Sequence, residues 1–404
     1  MTRAAGHSMI TASLVVIAGV VAALQVGKLP PALPSLQADL GLSLVESGFL
    51  LSMVQLAGML TAILVGLVAD GFGLRRSMYW GLLVLSGASA LGSLCTQTAP
   101  LLLLRAIEGM AFLWVSLPAP ALIRRLVPPG RLASMLGVWG AYMPLGTALA
   151  LLGGPFFIPN FGWSGWWLLF SVLSLLMAAV LYRMVPLDVE LPVRSAHELR
   201  RSLATTLGQR GPWLVAVMFG MYSAQWLALM GFLPVIYSQA GLGGAAIGWL
   251  TASAAAVNML GNLASGRLLQ AGRPAHKLLW MGYACMALGS LVAFASWTDG
   301  MPWLRFAGVL LFSSVGGLVP ATLFALAVRL APSDRQVATS VGWAQQWSAL
   351  GQFFGPPLVA WVAARAGGWH LTPWVTGSCC LAGVTLAWVT AHHLAQLAQQ
   401  GARP

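Results

Sequence analysis

The sequence predicts an all-α membrane protein of twelve transmembrane helices, arranged as two pseudo-symmetric six-helix bundles. Three observations carry this. Of 404 residues, 58% are hydrophobic and only 7% charged, with a mean hydropathy of +0.82. A soluble surface needs roughly 25–35% charged residues, which excludes a soluble globular chain, and a disordered chain would be poor in apolar residues. The apolar runs are unbroken and reach the about 20 residues a helix needs to cross a bilayer, whereas a membrane β-barrel shows alternating segments of about 10 residues. Finally, the pattern of the first half recurs in the second.

Taken in order, the runs place spans at 10–36, 44–69, 77–97, 99–123, 132–158, 164–184, 212–238, 246–270, 277–297, 302–330, 337–364 and 371–394. The first run is too long for a signal peptide and reads as an uncleaved span. The longest polar stretch, 185–211, separates six spans from six. The expected organisation is therefore an N-terminal bundle over 1–184, a cytoplasmic linker over 185–211 and a C-terminal bundle over 212–404. With the N-terminus inside, 17 of the 21 Lys and Arg residues fall on the cytoplasmic side and only Arg365 opposite, while Lys28, Arg105 and Arg305 lie within or near the ends of spans. Both termini are thus expected to be cytoplasmic, in a bacterial inner membrane, with the chain a monomer in the lipid bilayer. The formal net charge of +12 then reports orientation, not a nucleic-acid surface. Cys95, Cys285, Cys379 and Cys380 all fall in apolar runs without metal-ligand spacing and read as buried thiols.

The internal repeat is a series of matches in one order. Gly27-Lys28-Leu29-Pro30 parallels Gly231-Phe232-Leu233-Pro234, Gly48-Phe49-Leu50 parallels Gly248-Trp249-Leu250, and Arg105 and Pro120 parallel Arg305 and Pro320. Two bundles related by an axis along the membrane normal, with a site between them, follow from such a repeat.

The loop after span 2 runs Gly66, Ala69, Asp70, Gly71, Gly73, Arg75, Arg76. It resembles the loop-2/3 motif of the major facilitator superfamily, although Gly71 and Leu74 stand where a basic residue is expected and Gln270 replaces Asp70 in the second half. Glycines let helix ends approach closely, and Asp70 can pair with arginines or cap a helix start. Gly66, Asp70, Gly73, Arg75 and Arg76 are therefore the expected conformational latch. Span 4 carries Arg105-Ala-Ile-Glu108-Gly109, similar to the superfamily's Arg-x-x-Gln-Gly motif with Glu for Gln. Segments 27–43 and 231–248 resemble the cyanate-permease-like branch, which implies small anions as cargo. The span-5 motif of drug antiporters is present only in part: Gly154-Pro155 stand, but Phe157-Ile158 replace the trailing glycines.

Ionisable groups deep in a bilayer cost about 2.5–3.5 kcal/mol on insertion scales, so each needs a partner, a wet cavity or a task. Lys28 follows Gln25 by one turn and shares its face. It either binds an anion or snorkels to the outer interface, helped by the kink region at Pro30, Pro31 and Pro34. Arg105 and Glu108 are spaced i, i+3 and can pair. Glu108 is either a proton carrier or half of a structural ion pair. Arg305 is either a matching cation from the second half or an outer-end charge, and Glu46 reads as interfacial. If all three cations face a cavity against Glu108, the positive excess selects anions. Gln25, Gln55 and Tyr142 in the first half, and Tyr222, Gln225, Trp226, Asn258, Gln345, Gln346 and Gln352 in the second, supply further hydrogen bonds and walls, though helix-to-helix contacts would use the same residues.

No GxxxxGK[ST] loop, HExxH helix or Ser/His/Asp arrangement is present, so the chain reads as neither an ATP-driven pump nor an enzyme. No cofactor is expected. The expected function is a secondary transporter using alternating access, coupling protons to uptake of a small organic or inorganic anion. An exporter of hydrophobic or amphipathic compounds by proton antiport is the alternative, with a membrane-embedded enzyme or sensor behind it.

Overall fold

The computed structural model describes residues 2–128, 131, 135, 138–188, 195–333 and 336–401, with side chains described over these except at 2–8, 65–72, 196, 338, 397, 398, 400 and 401. Among the described residues the regular structure is helical: α1 (Thr2–Gly27), α2 (Leu29–Leu40), α3 (Leu44–Met53), α4 (Leu56–Phe72), α5 (Leu74–Gly92), α6 (Thr98–Ser116), α7 (Ala119–Leu126), α8 (Tyr142–Met184), α9 (Ala196–Leu207), α10 (Arg210–Gln239), α11 (Gly244–Ala256), α12 (Asn258–Gln270), α13 (Ala275–Phe294), α14 (Pro302–Gly316), α15 (Leu318–Arg329), α16 (Val337–Ala366) and α17 (Thr372–Gly401). Nine segments among the described residues are long and apolar enough to cross a membrane. One of them, α8, has 43 residues and turns at Gly162, whose φ of 68° is a left-handed value that favours glycine. It therefore holds residues 142–158 of the expected fifth span and all of the sixth. The expected third and eleventh spans, α5 and α16, are not among the nine; α5 carries Arg75 and Arg76, and α16 carries Gln345, Gln346 and Gln352.

Several expected spans are broken rather than continuous. Span 1 divides at Lys28 because Pro30 and Pro31 lack the N–H needed to continue the ladder. A fresh helix starts there, and both prolines fall in its first turn, where the donors have no intrahelical partner anyway. Span 4 divides at Leu117 and Pro118 by the same chemistry, since Pro120 opens α7.

The chain forms two compact units, one of Met1–Ser195 with Met230–Ala256, the other of Ala196–Leu229 with Val257–Pro404. In the first, α1 packs along α8, and α5 lies against both α6 and α8. Its core interdigitates small and large side chains: Val15, Ala18 and Ala22 of α1, Leu82 and Leu85 of α5, Ala111 and Val115 of α6, and Ala178 and Leu181 of α8. Serines tie the same helices, with Ser171 Oγ donating to the Ser86 carbonyl at 2.8 Å and Ser77 Oγ to that of Trp114 at 3.0 Å. In the second unit, α13 packs on α14 and α17. Hydroxyl pairs join its helices: Ser265 with Thr322 at 2.8 Å, Ser223 with Ser348 at 2.7 Å, and Thr376 donating to Ser290 at 2.7 Å. Such small polar contacts allow close approach without burying charge. Leu60, Leu168, Leu176, Leu260, Leu288 and Trp361 face outward, as residues do when the surrounding solvent is lipid.

The start of α5 is held from outside its own span. Asp188, just after α8, accepts from the backbone N–H groups of Arg75 (2.8 Å) and Arg76 (2.9 Å). Gly73 has φ +95°, and a Cβ there would press on the Asp188 carboxylate. The guanidinium of Arg75 donates to the Tyr182 carbonyl and lies 5.2 Å over the Tyr182 ring. Replacing Asp188 by Ala removes both cap acceptors. It should lower stability by about 1 kcal/mol, read as an earlier thermal unfolding midpoint in detergent, while Asp188→Asn retains part of the loss.

Candidate functional site

The described residues bury four charged side chains, Lys28, Arg75, Arg105 and Glu108, all in the first unit. Three of them meet. Lys28 and Glu108 are 0% exposed and Arg105 1%. The helix break puts the ammonium of Lys28 inward, where it donates to Gln25 Oε1 at 2.6 Å, Ser89 Oγ at 2.7 Å and Glu108 Oε1 at 2.7 Å. An ammonium has three hydrogens, and all are committed. The Trp167 ring lies 4.6 Å from the same nitrogen, a cation–π contact in a desolvated place. Glu108 is bound on both oxygens, because Oε2 accepts from Arg105 Nη1 at 2.6 Å.

Neighbours fix this arrangement. Arg105 Nη1 also donates to the Gln25 carbonyl at 2.8 Å. The Gln25 amide donates to the Phe170 carbonyl at 3.0 Å and to Ser174 Oγ at 2.9 Å. Ser89 passes its own hydrogen to the Trp167 carbonyl at 2.8 Å, and Trp166 Nε1 donates to the Lys28 carbonyl at 3.0 Å. Three buried polar atoms here remain without a partner: Arg105 Nε, Arg105 Nη2 and Trp167 Nε1. Two cations face one carboxylate, so the cluster carries one formal positive charge in excess when Glu108 is ionised.

The structure sorts the sequence-based candidates. Lys28 does not snorkel; it joins Arg105, Glu108 and Gln25 in one network. Arg305 is an end charge near the start of α14 and no partner of the buried cluster. It pairs with Asp299, donates to Thr298 Oγ1 at 3.1 Å and is 35% exposed, so two cations rather than three face Glu108 and the expected excess of two positive charges falls to one. Glu46 closes a capping box with Ser43 at the start of α3. Gln55 is buried at the start of α4, and Tyr142 stacks on Trp139 at 4.2 Å; among the described residues the cluster's hydrogen bonds run to other partners. The second-unit candidates form a neutral network of their own. Asn258 Nδ2 donates to Tyr222 Oη at 3.2 Å and to the Ser313 carbonyl at 2.9 Å, and Gln225 Oε1 accepts from Cys380 Sγ at 3.2 Å. Trp226 is buried, and Gln345 and Gln346 are half-buried. All four cysteines are free, but only Cys380 is buried.

Of the residues expected to form a latch, Gly73, Arg75 and Arg76 meet Asp188 as described above. The side chains at Gly66 and Asp70 lie outside the described residues. Sequence reasoning missed Asp188, Ser89, Ser174 and Trp167. The cation–π partner had a faint signal in the Trp166-Trp167 pair opposite a lone membrane lysine, but nothing in the sequence singles out one serine among many.

Comparison with known proteins follows the same outline. The family model of the Major Facilitator Superfamily matches residues 15–356. A puromycin resistance protein of Streptomyces alboniger is 34% identical over 196 residues, which cover 48% of this chain and 38% of that protein. A 2-nitroimidazole transporter of Escherichia coli strain K12 is 28% identical over 84% of this chain and 85% of its own. Among solved structures, a D-xylose-proton symporter superposes with a TM-score of 0.75 at 18% identity, covering 94% of this chain and 97% of that one.

The buried pairings generate a stability prediction. Glu108→Ala leaves two enclosed cations uncompensated and should cost about 3–5 kcal/mol, seen as a collapse of the thermal midpoint in detergent. Pairing it with Lys28→Met should recover part of the loss, because one of the stranded charges is gone.

Proposed function

The chain belongs to the Major Facilitator Superfamily, with twelve membrane helices in two six-helix bundles, and on that premise we propose that it couples protons to the uptake of a small anion by alternating access. Family and relatives make it a membrane transporter of small molecules, not an enzyme. The proposed division is a bundle over 1–184, a linker over 185–211 and a bundle over 212–404, with both termini in the cytoplasm of a bacterial inner membrane and the monomer as the working unit.

One observation carries the anion and proton parts of this reading: a single carboxylate, Glu108, bridges two fully enclosed cations. With Glu108 ionised the cluster has one positive charge in excess; with Glu108 protonated it has two. An arriving anion repels the Glu108 carboxylate and favours its protonation, and the proton in turn favours the anion. That reciprocity is the thermodynamic content of symport. In this reading Arg105, Lys28 and Gln25 form the anion side of the site and Glu108 carries the proton. Gln55, Tyr142, Tyr222, Gln225, Trp226, Asn258, Gln345 and Gln346 serve as neutral walls and hydrogen-bonding groups, and Gly66, Asp70, Gly73, Arg75 and Arg76 as the latch.

A second reading has an observation of its own. The resistance protein from Streptomyces alboniger is named for puromycin, and that favours export of an amphipathic compound by proton antiport.

The test is uptake into proteoliposomes driven by an inside-alkaline pH gradient. An anion should accumulate with the wild type. Glu108→Gln should retain counterflow yet lose gradient-driven accumulation, and Lys28→Ala should lose counterflow. Unchanged accumulation by Glu108→Gln would falsify the proton role. Puromycin resistance on overexpression, without anion uptake, would establish the export reading instead.

A further inference from the structure

Arg105 is 1% exposed, yet only Nη1 of its three nitrogens is engaged, while Nε and Nη2 have no partner among the described residues. The unengaged pair is not a random remainder. Nε–H and one Nη2–H run parallel along a single edge of the planar guanidinium, spaced to meet the two oxygens of one carboxylate. The other polar groups of the cluster have no donors left to offer. Lys28 has committed three hydrogens, Gln25 both amide hydrogens and Ser89 its hydroxyl.

The geometry points to this Nε/Nη2 edge of Arg105 as the subsite for the carboxylate of a monocarboxylate cargo. The inference rests on the transport reading above and narrows its anion to one chemical class.

Two further features fit that class. Glu108 holds Nη1 and leaves the Nε/Nη2 edge unpaired though enclosed, so the cargo and the proton address different parts of one guanidinium, and admitting the cargo requires the packing over that edge to part. The charge also balances. The empty cluster with Glu108 ionised has one positive charge in excess; the cluster loaded with one proton and one monoanion has the same excess. A dianion with one proton would change it, at a cost that low dielectric magnifies. A lysine at this position would keep the charge but lose the flat, two-pronged edge.

The experiment uses the purified full chain in lipid nanodiscs, with acetate, lactate and benzoate as probes. Thiocyanate serves as a monoanion without an oxygen pair, and inorganic phosphate as a tetrahedral oxyanion. Binding is read from thermal stabilisation and from tryptophan fluorescence. At least one carboxylate should bind while thiocyanate and phosphate do not. Arg105→Lys should weaken that carboxylate by about tenfold to a hundredfold, the scale of a lost charged hydrogen bond.

Equal carboxylate binding by Arg105→Lys overturns the subsite, as does stabilisation by thiocyanate or phosphate that matches or exceeds the carboxylates, or the absence of any carboxylate binding. Should Arg105→Lys not fold, the wild-type panel alone decides between these outcomes. If a non-carboxylate anion is still driven by the pH gradient, the transport reading stands and only the subsite falls. If no anion binds or moves, both fall.

Discussion

Charge taken out of water must be compensated where it lies, and in this protein that requirement converges on Glu108. Its carboxylate touches a lysine from the first span and an arginine one turn earlier on its own helix. Each cation is then held by further contacts that only this packing provides: Ser89 from α5, the Gln25 carbonyl from α1, and the Trp167 ring from α8. Attraction between two enclosed charges only roughly offsets their desolvation. The surrounding hydrogen bonds therefore decide whether the cluster is tolerable, and they explain why four helices converge at this depth.

The two units solve the same packing problem with different chemistry. Both use small residues and hydroxyls to bring helices together. The first adds four buried charges. The second relies on amide, phenol and thiol groups around Asn258 and Gln225. The sequence repeat draws a related contrast between the halves of the chain, because Phe232, itself in the first unit, occupies the place in the second half that Lys28 occupies in the first. A six-helix bundle does not need a lysine there to form. The charge is a feature of the first half that the repeat does not share.

The fold was legible because lipid imposes a coarse rule. Unbroken apolar runs and a pattern that recurs in the second half are properties of segments, and segments survive without knowledge of contacts. The site was legible only where partners are close in sequence. Arg105 and Glu108 are three apart on one helix, so their pairing follows from helical geometry. Lys28 and Glu108 are eighty residues apart, and no local pattern joins them. Arg305 was open to misreading because the repeat offset aligns it with Arg105. An offset gives depth along the chain but not the environment, and a loop aspartate, Asp299, sits within its reach. Asp188 escaped notice for the converse reason: it follows the last turn of the sixth span in a polar stretch, where a carboxylate is ordinary.

The break in the first span has a mechanical consequence. Pro30 and Pro31 have no N–H, so the carbonyls four residues earlier, on Val26 and Gly27, never receive the ladder bonds that stiffen a continuous helix. Flexing the chain at this point therefore has two fewer ladder bonds to break than in a continuous helix, although the Lys28 N–H still donates to the Leu24 carbonyl at 2.8 Å. Any bending of α2 against α1 would act on Lys28, whose ammonium donates to Glu108 Oε1 at 2.7 Å, as on the pivot of a lever.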